Sequence, residues 1–273
     1  MGRRRLILSS IVLGAIALYA VAIPALAGID DRIIDFAQAR TSPSLAHLFG
    51  TDASGRDLFV RIAKAIRTSL LIAAACAILA TVLGVVVGAV SGLAGGWIDR
   101  IVMRCTDAVN ALPHLLLGIG IVAMFRGSVL AIVLSIALTH WTQVARIIRS
   151  EILSLRSRPY IDAAILAGAS RRHIITAHLV PATAPQALIA IVLLLPHAVW
   201  HESTLSFLGF GLPPHAPSLG TLLEEARSSL LLGGWWTLAF PAGILVVTTI
   251  SVAVAGSALS RRLVPPPPKV LVR

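Results

Sequence analysis

Six stretches of the chain are long, apolar and almost free of charge: Leu6–Ala27, Thr68–Ile98, Ala108–Phe125, Gly127–Ala145, His173–His201 and Ser228–Ser260. A membrane-spanning helix needs about 20 predominantly apolar residues, so each stretch predicts or contains one span. The pattern therefore predicts an all-α polytopic membrane protein with six transmembrane helices. Thr68–Ile98 exceeds one span, and its end, Ser91-Gly92-Leu93-Ala94-Gly95-Gly96-Trp97, reads as an interfacial turn with an aromatic anchor. The Arg126-Gly127-Ser128 turn is so short that the spans it joins are expected to be antiparallel neighbours. The fifth span is expected to start near Pro181 and the sixth to open at Trp235-Trp236.

Composition narrows the class. Hydrophobic residues make up 57% of the 273 and charged residues 13%, with a mean hydropathy of +0.89. Soluble domains carry about 25% charged residues, so an ordinary cytosolic globule is excluded, as is a disordered chain. The net charge of +11 follows topology. With the N-terminus in the cytoplasm, 15 of the 23 basic residues fall on inside segments, among them Arg3, Arg4, Arg5, Arg146, Arg149, Arg156, Arg158, Arg171 and Arg172. The outside holds Asp30, Asp31, Asp35, Asp52, Asp57, Glu202, Glu224 and Glu225. This positive-inside bias places both termini in the cytoplasm and assigns the basic surplus to membrane lipids, not nucleic acid. Leu6–Ala27 follows three arginines as a secretory signal would, and Pro24 and Ala27 mimic a cleavage site. Its apolar run is longer than the roughly 7–15 residues of a signal core, so an uncleaved anchor is expected. Cys76 and Cys105 imply no disulfide framework.

The organisation expected is an N-terminal anchor with an outer segment (1–67), a permease core (68–262, with a loop at 146–180) and a Pro-rich tail (263–273, with Pro265–Pro268). The inside loop carries the most local information. In SRPYIDAAILAGASRRHIITAHLVP (157–181), Pro159 suits the first turn of a helix, predicting a short helix over Tyr160–Ala167. Gly168 supplies a left-handed stop, and Ser170 caps a second helix running to Pro181. Ala163, Ala164 and Ala167 give the first helix a thin face that fits a groove on another protein, while Ile161 and Ile165 are apolar where water would meet them. An interfacial hairpin without a partner fits the same spacing.

Asp162-Ala163-Ala164, Gly168 and Leu179-Val180-Pro181 resemble the EAA loop of binding-protein-dependent ABC importer permeases, with aspartate in place of the usual glutamate. Gly50-Thr51-Asp52-Ala53-Ser54-Gly55-Arg56-Asp57 is similar to the GTDxxGRD stretch of the peptide/nickel permease family, C-type subunit. ESTLSFLGFGLPPHAPSLG (202–220) resembles its second outer segment, and Trp235-Trp236 with Phe240-Pro241 matches the start of its last span. Leu219 stands where the family often has Trp, the last span lacks the usual Gly-Asp-Gly-Leu-Arg-Asp ending, and Thr139-His140-Trp141 leans toward the nickel and metal-chelate branch. The resemblance implies that Tyr160, Asp162, Ala163, Ala164, Gly168 and Pro181 form a loop docking on an ATPase. It further implies a second permease subunit in a heterodimer, two ATP-binding cassette subunits and an extracytoplasmic solute-binding protein, in a bacterial or archaeal plasma membrane. The cargo implied is nickel, a metal chelate, a dipeptide or an oligopeptide.

The chain contains no GxxxxGK[ST] phosphate loop, so no bound cofactor is expected, and ATP and Mg belong to the partner ATPases. His197 and His201 lie at i, i+4 on one helix face, a spacing that can chelate a metal, but HAVWH lacks the glutamate of HExxH; interfacial packing is the competing reading. His197, His201 and Glu202 are candidates for the translocation path or for receptor docking, with a solvated helix end as the competing reading of Glu202. Asp52, Arg56 and Asp57 are candidates for the same roles. Asp107 is expected to pair with Arg104, and Arg61, Lys64 and Arg67 to lie along a helix on the outer leaflet, with receptor docking as the alternative. A secondary transporter and an intramembrane metalloenzyme are the competing classes. Against the first stands the expectation that no charge lies well inside a span.

Overall fold

The computed structural model describes residues 2–26, 33–125, 127–213 and 216–263. Ala27, Asp30, Asp31, Arg126, His215 and the polyproline stub lie outside them. The helices are α1 (Gly2–Leu26), α2 (Leu58–Ala94), α3 (Gly96–Ala111), α4 (His114–Met124), α5 (Val129–Arg156), α6 (Pro159–Leu166), α7 (Arg171–Phe210), α8 (Leu219–Leu230) and α9 (Trp236–Leu263). Among the described residues, five helices are long and apolar enough to cross a membrane, or six if the bent pair α3–α4 is one span. The all-α polytopic fold is as expected.

Four boundaries differ from the sequence reading, each for a local reason. First, α2 starts at Leu58, ten residues before Thr68, because the Asp57 carboxylate caps it by accepting from the Val60 N–H at 3.1 Å. At about 1.5 Å per residue, its 37 residues make a rod roughly 55 Å long. Second, the expected span Ala108–Phe125 is broken. Pro113 forces Leu112 into extended backbone (φ −80°, ψ 139°), and α3 and α4 meet at 84°. Third, α5 is capped by Ser128 and continues past Ala145 to Arg156. Fourth, α7 does not begin at Pro181. It runs through it, with π-helical stretches at Ile174–Leu179 and Ser206–Phe210 and closure at Gly209 (φ 82°). The opening of the last span at Trp235-Trp236 is as expected.

The α2–α5 interface is the broadest in the molecule, and glycine makes it possible. Gly84, Gly88 and Gly92 recur every fourth residue along one face of α2. A Cβ on Gly88 would sit 2.4 Å from the Ala145 carbonyl oxygen, and one on Gly84 2.8 Å from that of Trp141. Small residues at this spacing let two membrane helices approach backbone to backbone. Val144, Ile148 and Ile152 pack against the stripe itself, and Ala77, Ala80 and Ala137 continue the seam. The helix α1 lies along α2 and α9, fixed by the Tyr19 hydroxyl donating to the Phe59 carbonyl at 2.6 Å. The bundle has two distinct ends. One carries the α5–α6–α7 hairpin (the hairpin end). The other carries residues 33–57 and α8, folded over the start of α2 (the lid end).

Candidate functional site

At the hairpin end, the local structure follows the sequence closely. Pro159 opens α6, and the helix ends where the Gly168 N–H donates to Ile165 O and the Ala169 N–H to Ala164 O. Gly168 has φ 83°, and a Cβ there would meet nothing within 4 Å. Glycine is required at this bend for its backbone conformation, not for space. The Ser170 hydroxyl oxygen accepts from the His173 N–H at 3.2 Å, starting α7. Ile161 turns inward against Ile174 and Leu179, joined by Leu93 and Leu155. It is therefore not an apolar group facing water, as expected, whereas Ile165 remains exposed. Tyr160, Asp162, Ala163, Pro181 and Leu166 (88% exposed) also face outward, with Ala164 half-buried. Tyr160, Asp162, Ala163, Ala164 and Gly168 thus share one accessible knob, while Pro181 is exposed farther along α7.

Arginines tie this knob to the bundle. Arg156 donates to the Gly92 carbonyl at 2.9 Å, and Arg171 to that of Leu93 at 3.2 Å, so both flanks of α6 close on the last turn of α2. Arg149 grips Asp99 through two nitrogens, and the Ser91 hydroxyl donates to the same carboxylate. Asp107 pairs with Arg146 at 2.7 Å and not with Arg104. The α3–α5 packing brings the more distant arginine within reach.

At the lid end, the GTDxxGRD stretch is a clamp. The Asp52 carboxylate accepts from the backbone N–H groups of Ser54 and Arg56, from Arg56 Nε at 2.7 Å and from Arg61 Nη1. Arg61 is 1% exposed and also holds Glu225 of α8 through both terminal nitrogens, at 2.6 and 3.0 Å. This corrects the leaflet expectation: Arg61 lies inside the protein, joining α2 to both lid segments. Asp57 caps α2 and also contacts His47 at 2.9 Å. Gly50 (φ 72°) brings the backbone against Trp236, whose Nε1 donates to the Thr51 carbonyl at 3.2 Å. Asp52 and Asp57 therefore face inward into the clamp.

Glu202 is fully buried, contrary to a solvated helix end or a bundle without interior charge. The Ser69 hydroxyl of α2 donates to its carboxylate at 2.8 Å and the Ser206 hydroxyl at 2.9 Å. Ser69 in turn accepts from the Leu219 N–H at the start of α8 (3.1 Å). One carboxylate so joins α2, α7 and α8. Gly220 permits the approach, since a Cβ there would lie 2.6 Å from the Ser203 carbonyl oxygen. A buried polar group is tolerated when hydrogen-bonded and expensive when its partners are orphaned. Glu202→Ala is expected to destabilise the purified protein by about 1–3 kcal/mol, with Glu202→Gln losing less. Thermal denaturation in detergent checks this; equal loss by both variants would refute the hydroxyl cradle.

Three histidines, His114, His140 and His201, come together. The His201 ring packs against His140 at 4.6 Å between centroids, and His140 against His114 at 5.4 Å. His197 instead lines a cleft of about 590 Å³ between α5, α7 and α9, with Gln143, Gln186, Trp200, Thr249 and Ser257. Among the described residues, no three His, Cys, Asp or Glu side chains are placed to hold a metal ion. Sequence reasoning missed Ser69, Glu225 and the two arginines on the end of α2, none of which has a local signature. It also missed the four-residue glycine spacing, which was readable.

The comparisons with known proteins agree with this architecture. Residues 80–265 match the family described as "Binding-protein-dependent transport system inner membrane component". The chain is similar to the oligopeptide transport system permease protein OppC of Escherichia coli (strain K12), 37% identical over 267 residues, covering 97% of this chain and 88% of that protein. It is also similar to OppC of Bacillus subtilis (strain 168), 34% identical over 255 residues, covering 93% and 83%. This helical bundle, with an exposed hairpin at one end and a clamped lid at the other, is matched over nearly its whole length and belongs to the family of binding-protein-dependent transport inner membrane components, the permease subunits of ABC importers.

Proposed function

We infer that the subunit moves small peptides, with separate ATP-binding cassette subunits docking on α6 and a solute-binding protein meeting the lid end. The observation that carries this reading is the knob itself. Tyr160, Asp162, Ile165 and Leu166 are exposed together on a short helix, and none of the described residues covers them. Exposed apolar and acidic side chains on a rigid projection suit a protein groove. The positive-inside bias supports a cytoplasmic hairpin end, and with it cytoplasmic termini. A second, related permease completes the path in this reading, and ATP with Mg is bound by the ATPases.

The names of the relatives support peptides as cargo over nickel or a metal chelate. The histidine arrangement adds nothing for a metal. Asp162→Lys is expected to lower peptide uptake at least about tenfold, a coupling loss of ordinary size, while membrane insertion and yield stay unchanged. Labelled-peptide uptake in cells, with co-purification of the ATPase subunits, checks it. Normal uptake and intact co-purification would remove the docking role.

A further inference from the structure

The hairpin touches the rest of the bundle by two covalent routes, and they differ mechanically. The forward route, α7, is interrupted by the π-helical stretches Ile174–Leu179 and Ser206–Phe210 and carries Pro181, Pro185 and Pro196. Both features weaken the regular hydrogen-bond ladder and concentrate bending. The backward route, α5, is zipped to α2 by the Gly84, Gly88 and Gly92 stripe. A third connection is not covalent. The last turn of α2 enters the hairpin, with Leu93 packed beside Ile161, Ile174 and Leu179. Its terminal carbonyls are closed by Arg156 from before α6 and Arg171 from after it. Two cations at a helix C-terminus also match the negative end of its dipole. At the far end of α2, Arg61 holds Asp52 and Glu225, and Ser69 holds Glu202 and the Leu219 N–H.

We propose that Arg156 and Arg171 are positioning residues that seat α2 in the hairpin, making α2 the lever by which movement of α6 reaches the lid. The proposal deepens the importer reading and rests on it. The α2–α5 pair moves as one body with the hairpin and the lid, while α7 bends at its π-helical stretches. The lever couples both ways. A binding protein pressing the lid alters the ATPases through the same rod, because coupling free energy is reciprocal.

The test uses the full assembled transporter in proteoliposomes. Arg156→Met with Arg171→Met removes both donors from exposed side chains and leaves the Asp162 knob intact. Peptide uptake per ATP hydrolysed is expected to fall about tenfold, with basal ATP hydrolysis retained and its stimulation by the binding protein lost. Unchanged uptake per ATP would overturn the lever. A second measurement holds even where the double variant assembles poorly. In the otherwise unaltered protein, with Cys105→Ser as background, nitroxides go on Ser157 and Ser228, both exposed, at opposite ends of the rod. The lever keeps one sharp peak distance with and without nucleotide; a peak that shifts on adding ATP overturns it. Absence of ATP-driven peptide uptake in the unmodified complex would fail the importer reading instead, while the sharpness of the nucleotide-free distance peak still decides the lever.

Discussion

Arg61→Met is expected to destabilise the chain by about 3–5 kcal/mol, the loss seen when one partner is removed from a buried ion pair. The guanidinium is almost fully enclosed and satisfies two carboxylates from different segments, Asp52 and Glu225. Without it, Asp52 stays buried with Arg56 as its remaining cation, and Glu225 keeps only the 3.3 Å contact to Arg56. Residues 33–57 then lose the Asp52 tie to α2 and keep only the bonds at its first turn, so proteolysis should begin there before the bundle unfolds. Arg61→Met combined with Glu225→Gln is expected to recover part of the loss, because one uncompensated charge is removed with its partner. Thermal denaturation and limited proteolysis of the purified protein measure both. A single variant as stable as the parent would mean that the clamp contributes nothing.

Gly88→Leu is expected to have a comparable effect by a different mechanism. Its Cβ would fall 2.4 Å from the Ala145 carbonyl oxygen and 3.0 Å from the Ile148 Cβ. The first obstacle is backbone, which cannot rotate away, so α2 and α5 must separate. Overpacking of this kind costs about 1–3 kcal/mol, and here it also removes contacts along the whole seam. The fitting control is Gly120→Ala, where a Cβ meets nothing within 4 Å and the residue lies inside α4. That change is expected to be neutral or mildly stabilising, since alanine favours helix more than glycine. Yield and melting midpoint of the two variants separate a packing requirement from a general intolerance of change at helical glycines. Equal behaviour would refute the zipper.

Much of the site was legible because its signals are local. Pro159, Gly168 and Ser170 act through their own backbone or a neighbour three residues away, and α6 and the start of α7 were placed to within a residue, although α7 does not stop at Pro181. The apolar stretches likewise announced their spans. Where the reading slipped, a charge or a proline had a distant partner. Arg61 was left outside the second apolar stretch, which was read from Thr68, yet it lies within α2, where Asp52 and Glu225 partner it. Asp107 chose Arg146 over the nearer Arg104. Glu202 looked like a helix end exposed to water and is instead enclosed by hydroxyls drawn from α2 and α7.

By itself, the order of residues determined that the chain lies in a membrane, how many apolar stretches cross or enter it, and where a short exposed helix projects from it. These follow from apolar length, charge placement and turn chemistry, which act over one helix or less. Only the tertiary structure decided which charges are buried, where the third span breaks its course, and that both ends of α2 are gripped. Those depend on groups as far apart as Arg61 and Glu225, separated by 164 residues, meeting at hydrogen-bonding distance. A desolvated charge persists only where the whole fold brings it a partner.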